Sequence, residues 1–110
     1  MDLGNAKLLF FLLLSLGVLM EVAGDILMKR WTLENRSLWL VLGISVYVLG
    51  SVFWLFSLKY EALSKAGAVF MVLNLILITL AGVLYFKEGL SLVNKIGIGL
   101  GILSVILIEL

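Results

Sequence analysis

The segment Gly17 to Arg30 reads G-V-L-M-E-V-A-G-D-I-L-M-K-R, and it sets two carboxylates, Glu21 and Asp25, near the end of a run otherwise apolar enough to cross a bilayer. A charged side chain at that depth is costly, so such groups face a bundle interior or a water-filled cavity and mark ion or substrate pathways. At about 100° per residue, Gly17, Glu21, Gly24, Asp25 and Met28 fall within about a third of the helix circumference. The small residues on either side of Glu21 leave room for water, a proton or an organic cation, which makes Glu21 a site that a proton and a cation can occupy in turn. The competing reading is an ion pair with Lys29 or a side chain reaching back to the surface. Asp25 has two readings of its own. It can pair with Lys29 at i, i+4 where water begins, or face the same cavity as Glu21 and share its proton.

Composition carries the membrane reading to the whole chain. Of 110 residues, 64% are hydrophobic and 14% charged, whereas soluble domains are about 45–50% apolar and about 25% charged. Eight basic and seven acidic residues leave a net charge of +1, which gives no electrostatic footing for a nucleic-acid partner. Cysteine and histidine are absent, so disulfides, thiolate or imidazole metal sites and His- or Cys-based catalysis are excluded. No enzyme activity, metal or cofactor is expected. Lys7 followed by Leu8 to Met20 imitates a secretory leader, but the apolar pattern resumes after Asp25 and no A-x-A site follows, so a retained helix is expected.

Four apolar stretches follow one another, predicting transmembrane helices at about 7–28, 38–58, 66–86 and 91–109 in a single domain spanning 1–110. The second and third each run 21 residues without a charge, enough to span a hydrocarbon core of about 30 Å. The fourth has only 13 uncharged residues, Ile96 to Ile108, and makes a full span if it starts at Ser91 and lets Lys95 snorkel. Ser91 suits the N-cap of that helix, after a turn at Lys87, Glu88 and Gly89. The short loops imply antiparallel neighbours and an all-α four-helix bundle in the membrane. One side would carry Lys7, Lys59 and Lys65 and the other Lys29, Arg30, Arg36, Lys87 and Lys95. That bias mildly favours both termini outside, and its near-balance also suits a chain inserted in both orientations as an antiparallel homodimer.

Further polar and small residues add to the picture. Gly97, Gly101 and Ser104 form a small-residue stripe containing G-x-x-x-G, read as a dimer interface, with an intramolecular contact as the alternative. Asn74 and Thr79 are polar positions inside the third stretch, and Asn74 has the better claim on a cavity, being near mid-membrane. Tyr47, Trp54 and Phe70 are candidate aromatic walls for a cation, though packing or lipid contact is the plainer reading for Phe70 and an interfacial belt for Trp54. Trp31, Trp39 and Tyr60 read as interfacial anchors.

The ordered set of E-V-A-G-D-I-L-M-K in the first span, A-L-S-K-A-G-A-V-F opening the third and F-K-E-G-L-S before a glycine-bearing fourth resembles the small multidrug resistance family within the drug/metabolite transporter superfamily. The resemblance covers essentially the whole chain. It implies an antiparallel or paired dimer in which substrate and protons compete for Glu21 as the dimer alternates between openings. The family's second-helix tyrosine falls on Tyr47 and its glycine after the glutamate on Gly24. The chain departs from the exporters' third-helix pattern A-Y-A-I-W, carrying Ala66, Gly67, Ala68, Val69 and Phe70, and has Ala62 for the usual proline and Asp25 for a small residue. The A-L-S-K-A opening and Leu73-Asn74 look closer to the branch that moves lipid-linked aminosugars, a branch that typically lacks the glutamate.

The expectation is therefore a transporter of the inner or plasma membrane, exporting a small cationic or amphipathic molecule by alternating access at Glu21 and driven by the proton motive force. Glu21, Asp25, Tyr47, Gly17, Gly24, Phe70 and Asn74 would form its substrate and proton site. Partners would be membrane lipid, a small-molecule or lipid-linked substrate and a second copy, or a related chain in a heterodimer. The alternatives are a flippase or flippase subunit for a lipid-linked aminosugar, and a non-transporting assembly subunit.

Overall fold

The computed structural model describes residues 3–110, and all four predicted helices are present: α1 (Leu3–Glu34), α2 (Ser37–Ser57), α3 (Leu63–Leu84) and α4 (Leu92–Glu109). Each is long and apolar enough to cross a membrane, and no strand occurs among the described residues. Together they form a slab of 48 × 34 × 18 Å.

The helix ends differ from the sequence expectation in an instructive way. α1 does not stop at 28 but continues through the charged segment to Glu34. Lys29 to Glu34 contains neither glycine nor proline, and Arg30 Nε lies 3.1 Å from Glu34 Oε2 in an i, i+4 ion pair that supports the extra turn. Charge marks where the hydrocarbon ends, not where the helix ends. Termination comes at Asn35, which takes φ 57°, the left-handed conformation that asparagine tolerates better than most residues, while its N–H donates to Trp31 O at 2.8 Å. Only Asn35 and Arg36 separate α1 from α2. α3 likewise takes in Lys65, starting at Leu63 and ending at Leu84, two residues short of expectation. α4 begins as expected after Ser91, whose hydroxyl accepts from Asn94 N–H at 3.1 Å.

The buried core is a stripe of α1, Phe10, Leu14, Val18 and Val22 at intervals of four, closed by Ala66 and Val69 of α3. Four hydroxyls inside the apolar helices are satisfied locally: Ser45, Ser51 and Ser104 each donate to the carbonyl four residues back, and buried Ser57 donates to Trp54 O at 2.7 Å. The Arg30 guanidinium lies 4.2 Å from the Trp39 ring centre, tying the start of α2 to the end of α1.

α1 and α2 meet through glycine. A Cβ on Gly24 would stand 2.9 Å from Gly43 O and 3.3 Å from Tyr47 N, and one on Gly17 3.2 Å from Gly50 O. Gly17 and Gly24 on one helix thus face Gly50 and Gly43 on the other, two pairs seven residues apart, letting the backbones touch as small residues do in membrane helix pairs. α4, by contrast, buries no residue and packs mainly on α3.

Candidate functional site

Glu21 is buried on α1, 9% exposed, and makes no ion pair within 4.0 Å among the described residues, so the expected alternative of a bridge to Lys29 is absent. Its stem fits beside α2 because Gly50 lacks a side chain: a Cβ there would lie 3.1 Å from Glu21 Cγ. The carboxylate borders a cavity of about 380 Å³ lined also by Tyr47 and Trp54 of α2 and by Gly67, Phe70, Met71 and Asn74 of α3. Trp54 and Phe70 are in ring contact, with centroids 4.7 Å apart and planes at 59°. Asn74 Oδ1 is buried and without a hydrogen-bond partner, an acceptor left open beside the acid. A buried carboxylate without an ion-pair partner, three aromatic rings and a free acceptor line one chamber, a set chemically suited to a proton or to a cation lying against ring faces.

The structure thus brings together Glu21, Tyr47, Phe70 and Asn74 from the set singled out in the sequence. It does not bring Gly17 and Gly24 to the chamber wall. The room their missing side chains leave is filled by the α2 backbone, and their contribution is to fix where Glu21 and Tyr47 meet. Asp25 is also elsewhere: it lines a separate, smaller cavity of about 160 Å³ with Lys29, Gly82, Phe86 and Glu88, and no ion pair to Lys29 forms within 4.0 Å. The cavity shared by both acids and the closed Asp25–Lys29 pair both give way to a third arrangement.

Trp54, weighed as an aromatic wall but read more plainly as an interfacial belt, lines the chamber, as do Gly67 and Met71, which the sequence reading did not single out; Ser51, also not singled out, stands next to it. Ser51 donates to Tyr47 O at 3.1 Å and lies within hydrogen-bonding reach of Glu21. The signal was in the spacing: Tyr47, Ser51 and Trp54 fall at i, i+4, i+7, and Gly67, Phe70, Met71 and Asn74 at i, i+3, i+4, i+7, each a single helix face.

The small residues of α4 divide. A Cβ on Gly101 would stand 3.4 Å from Leu75 Cδ2 of α3, so that end of the stripe makes the intramolecular contact. Gly97 has open space where a Cβ would stand and borders a groove between α3 and α4 that also contains Thr79. Ser104 is exposed.

A family model described as Small Multidrug Resistance protein matches residues 9–101. The chain is 37% identical over 105 residues to a probable 4-amino-4-deoxy-L-arabinose-phosphoundecaprenol flippase subunit ArnE of Hamiltonella defensa, a match covering 89% of this chain and 94% of that one. It is 39% identical over 100 residues to the uncharacterized membrane protein YvaE of Bacillus subtilis, covering 87% of this chain and 83% of the other. No solved structure matches the chain.

Proposed function

Because the chain belongs to the Small Multidrug Resistance protein family and is a multi-pass transporter of the cell membrane, we propose that it exports a small cationic or amphipathic molecule in exchange for protons, working as a homodimer by alternating access at Glu21. The observation that carries this reading is the buried, unpaired Glu21 carboxylate in a chamber walled by Tyr47, Trp54 and Phe70. The bilayer opposes a lone charge there, so the site holds a proton or a cation, and exchange of one for the other couples the two flows. The exposed apolar face of α4, with Gly97 open, supports a second copy as the partner that completes the bundle.

A second reading is supported by the flippase-subunit relative and by Gly67, which stands where the exporters have tyrosine and widens the chamber on the α3 side. Here the chain moves, or helps move, a lipid-linked aminosugar, whose amine would meet Glu21.

Liposomes containing the purified protein separate the two. Export requires that a lipophilic cation release protons from the protein and be driven by a pH gradient, and that Glu21→Gln abolish both while the helical content is kept. Selective stabilisation by an anionic isoprenoid lipid, with transport indifferent to the gradient, would favour the flippase reading. A Glu21→Gln protein with unchanged proton release would remove the basis of the export reading.

A further inference from the structure

Two chambers lie in series along α1, each headed by an acid. Glu21 opens onto the aromatic chamber, and Asp25, one turn further along the helix, opens onto the cavity at the end of α3. The second cavity differs in kind: it contains Lys29 and Glu88 and reaches the exposed α3–α4 connection. Glu88 is seated there by its surroundings. Its N–H donates to Gly82 O at 2.9 Å, the preceding Lys87 turns the chain at φ 55°, and a Cβ on Gly82 would stand 2.6 Å from Glu88 Oε1. The two acids stand at i, i+4 on one face of α1, one turn apart, and Tyr47 of α2 lines the Glu21 chamber. The charged and titratable groups around Asp25 are therefore Glu21 and Lys29 on its own helix, Tyr47 on α2 and Glu88 from the α3–α4 connection.

We propose that Asp25 is a proton-transfer residue, taking the proton that Glu21 gives up and delivering it to the surface cavity held by Lys29 and Glu88, while the substrate meets Glu21 alone. This rests on the reading of Glu21 as the proton and cation site. In the first step the Glu21 carboxylic acid becomes a carboxylate as the Asp25 carboxylate becomes an acid. In the second the Asp25 acid gives its proton to water, leaving hydronium and the Asp25 carboxylate. Lys29 lines the same cavity without an ion pair to Asp25, and Glu88 offers the departing proton a second acceptor. The volume of about 160 Å³ admits water but little of a drug-sized molecule, which is why the cavity suits a proton and not the cargo.

The test is a rapid pH jump on the purified full-length protein, following proton release with a pH dye and the carboxylic-acid infrared band. Wild type and Asp25→Asn are expected to release the same Glu21 proton at equilibrium, with Asp25→Asn slower by about tenfold or more and its rate following a different pH profile. Asp25→Glu should recover the rate. An unchanged rate in Asp25→Asn overturns the proposal, as does loss of the Glu21 proton in that variant, which would make Asp25 part of the substrate site. Where Asp25→Asn fails to fold, Glu88→Gln decides, slower release supporting the route and an unchanged rate overturning it. Glu21→Gln keeps the two readings apart: if it leaves the release intact the Glu21 reading fails, whereas if it removes the release and Asp25→Asn does nothing, only the Asp25 route fails.

Discussion

The two halves of the chain are built on different terms. α1 and α2 touch backbone to backbone through two glycine pairs, and this half supplies Glu21, Tyr47 and Trp54. α3 and α4 meet through side chains such as Leu75 against Gly101, and α4 buries nothing. A contact between backbones cannot yield without moving a whole helix, whereas one between long side chains yields by a change of rotamer. The first half therefore fixes the acid in place, while the seating of α4 on α3 rests on side chains that can change rotamer.

Placing the same substitution in each half tests that contrast. Gly24→Ala sets a methyl 2.9 Å from Gly43 O, an atom that cannot step aside, and is expected to lower stability by about 1–3 kcal/mol in thermal unfolding in micelles. Ser91→Ala removes the hydroxyl that caps α4 and should lower stability by about 1 kcal/mol, read as fraying of α4 by hydrogen exchange. Gly97→Ala meets open space and should leave the monomer unchanged or raise its stability by at most about 1 kcal/mol, while weakening dimerisation in a crosslinking assay if that face is shared. An unfolding scan in which Gly97→Ala lost more than Gly24→Ala would reverse the contrast.

Much of this was legible in the residues. Runs such as Leu38 to Leu58 have few stable fates other than a membrane helix, and a carboxylate inside one has few places to face. The glycines were harder. Gly17 and Gly24 look like room for a ligand when α1 is read alone, but Gly43 and Gly50 repeat the interval of seven, and two helices with matching gaps close them on each other. Trp54 was assigned to the interfacial belt by residue type, although its spacing from Tyr47 placed it on the chamber face. Asp25 could not be settled from its own helix, because Gly82, Phe86 and Glu88 lie more than fifty residues away in sequence. Whether Gly97 and Gly101 face α3 or another chain is likewise a property of three-dimensional packing, and the stripe serves different surroundings at its two ends.

A hairpin turned in two residues and closed by glycine contacts draws its seam from neighbouring sequence, so the seam is complete once α1 and α2 have been made. α1 and α2 can enter the bilayer as one piece, before α3 and α4 have been synthesised. During that interval a lone α1 would present Glu21 to lipid, a burden of about 2.5–3.5 kcal/mol for an ionised residue at mid-helix. With Gly50 already against its stem, the acid enters covered on one side by α2. The seam that later holds Glu21 in position is thus available from the start to bring it safely into the membrane.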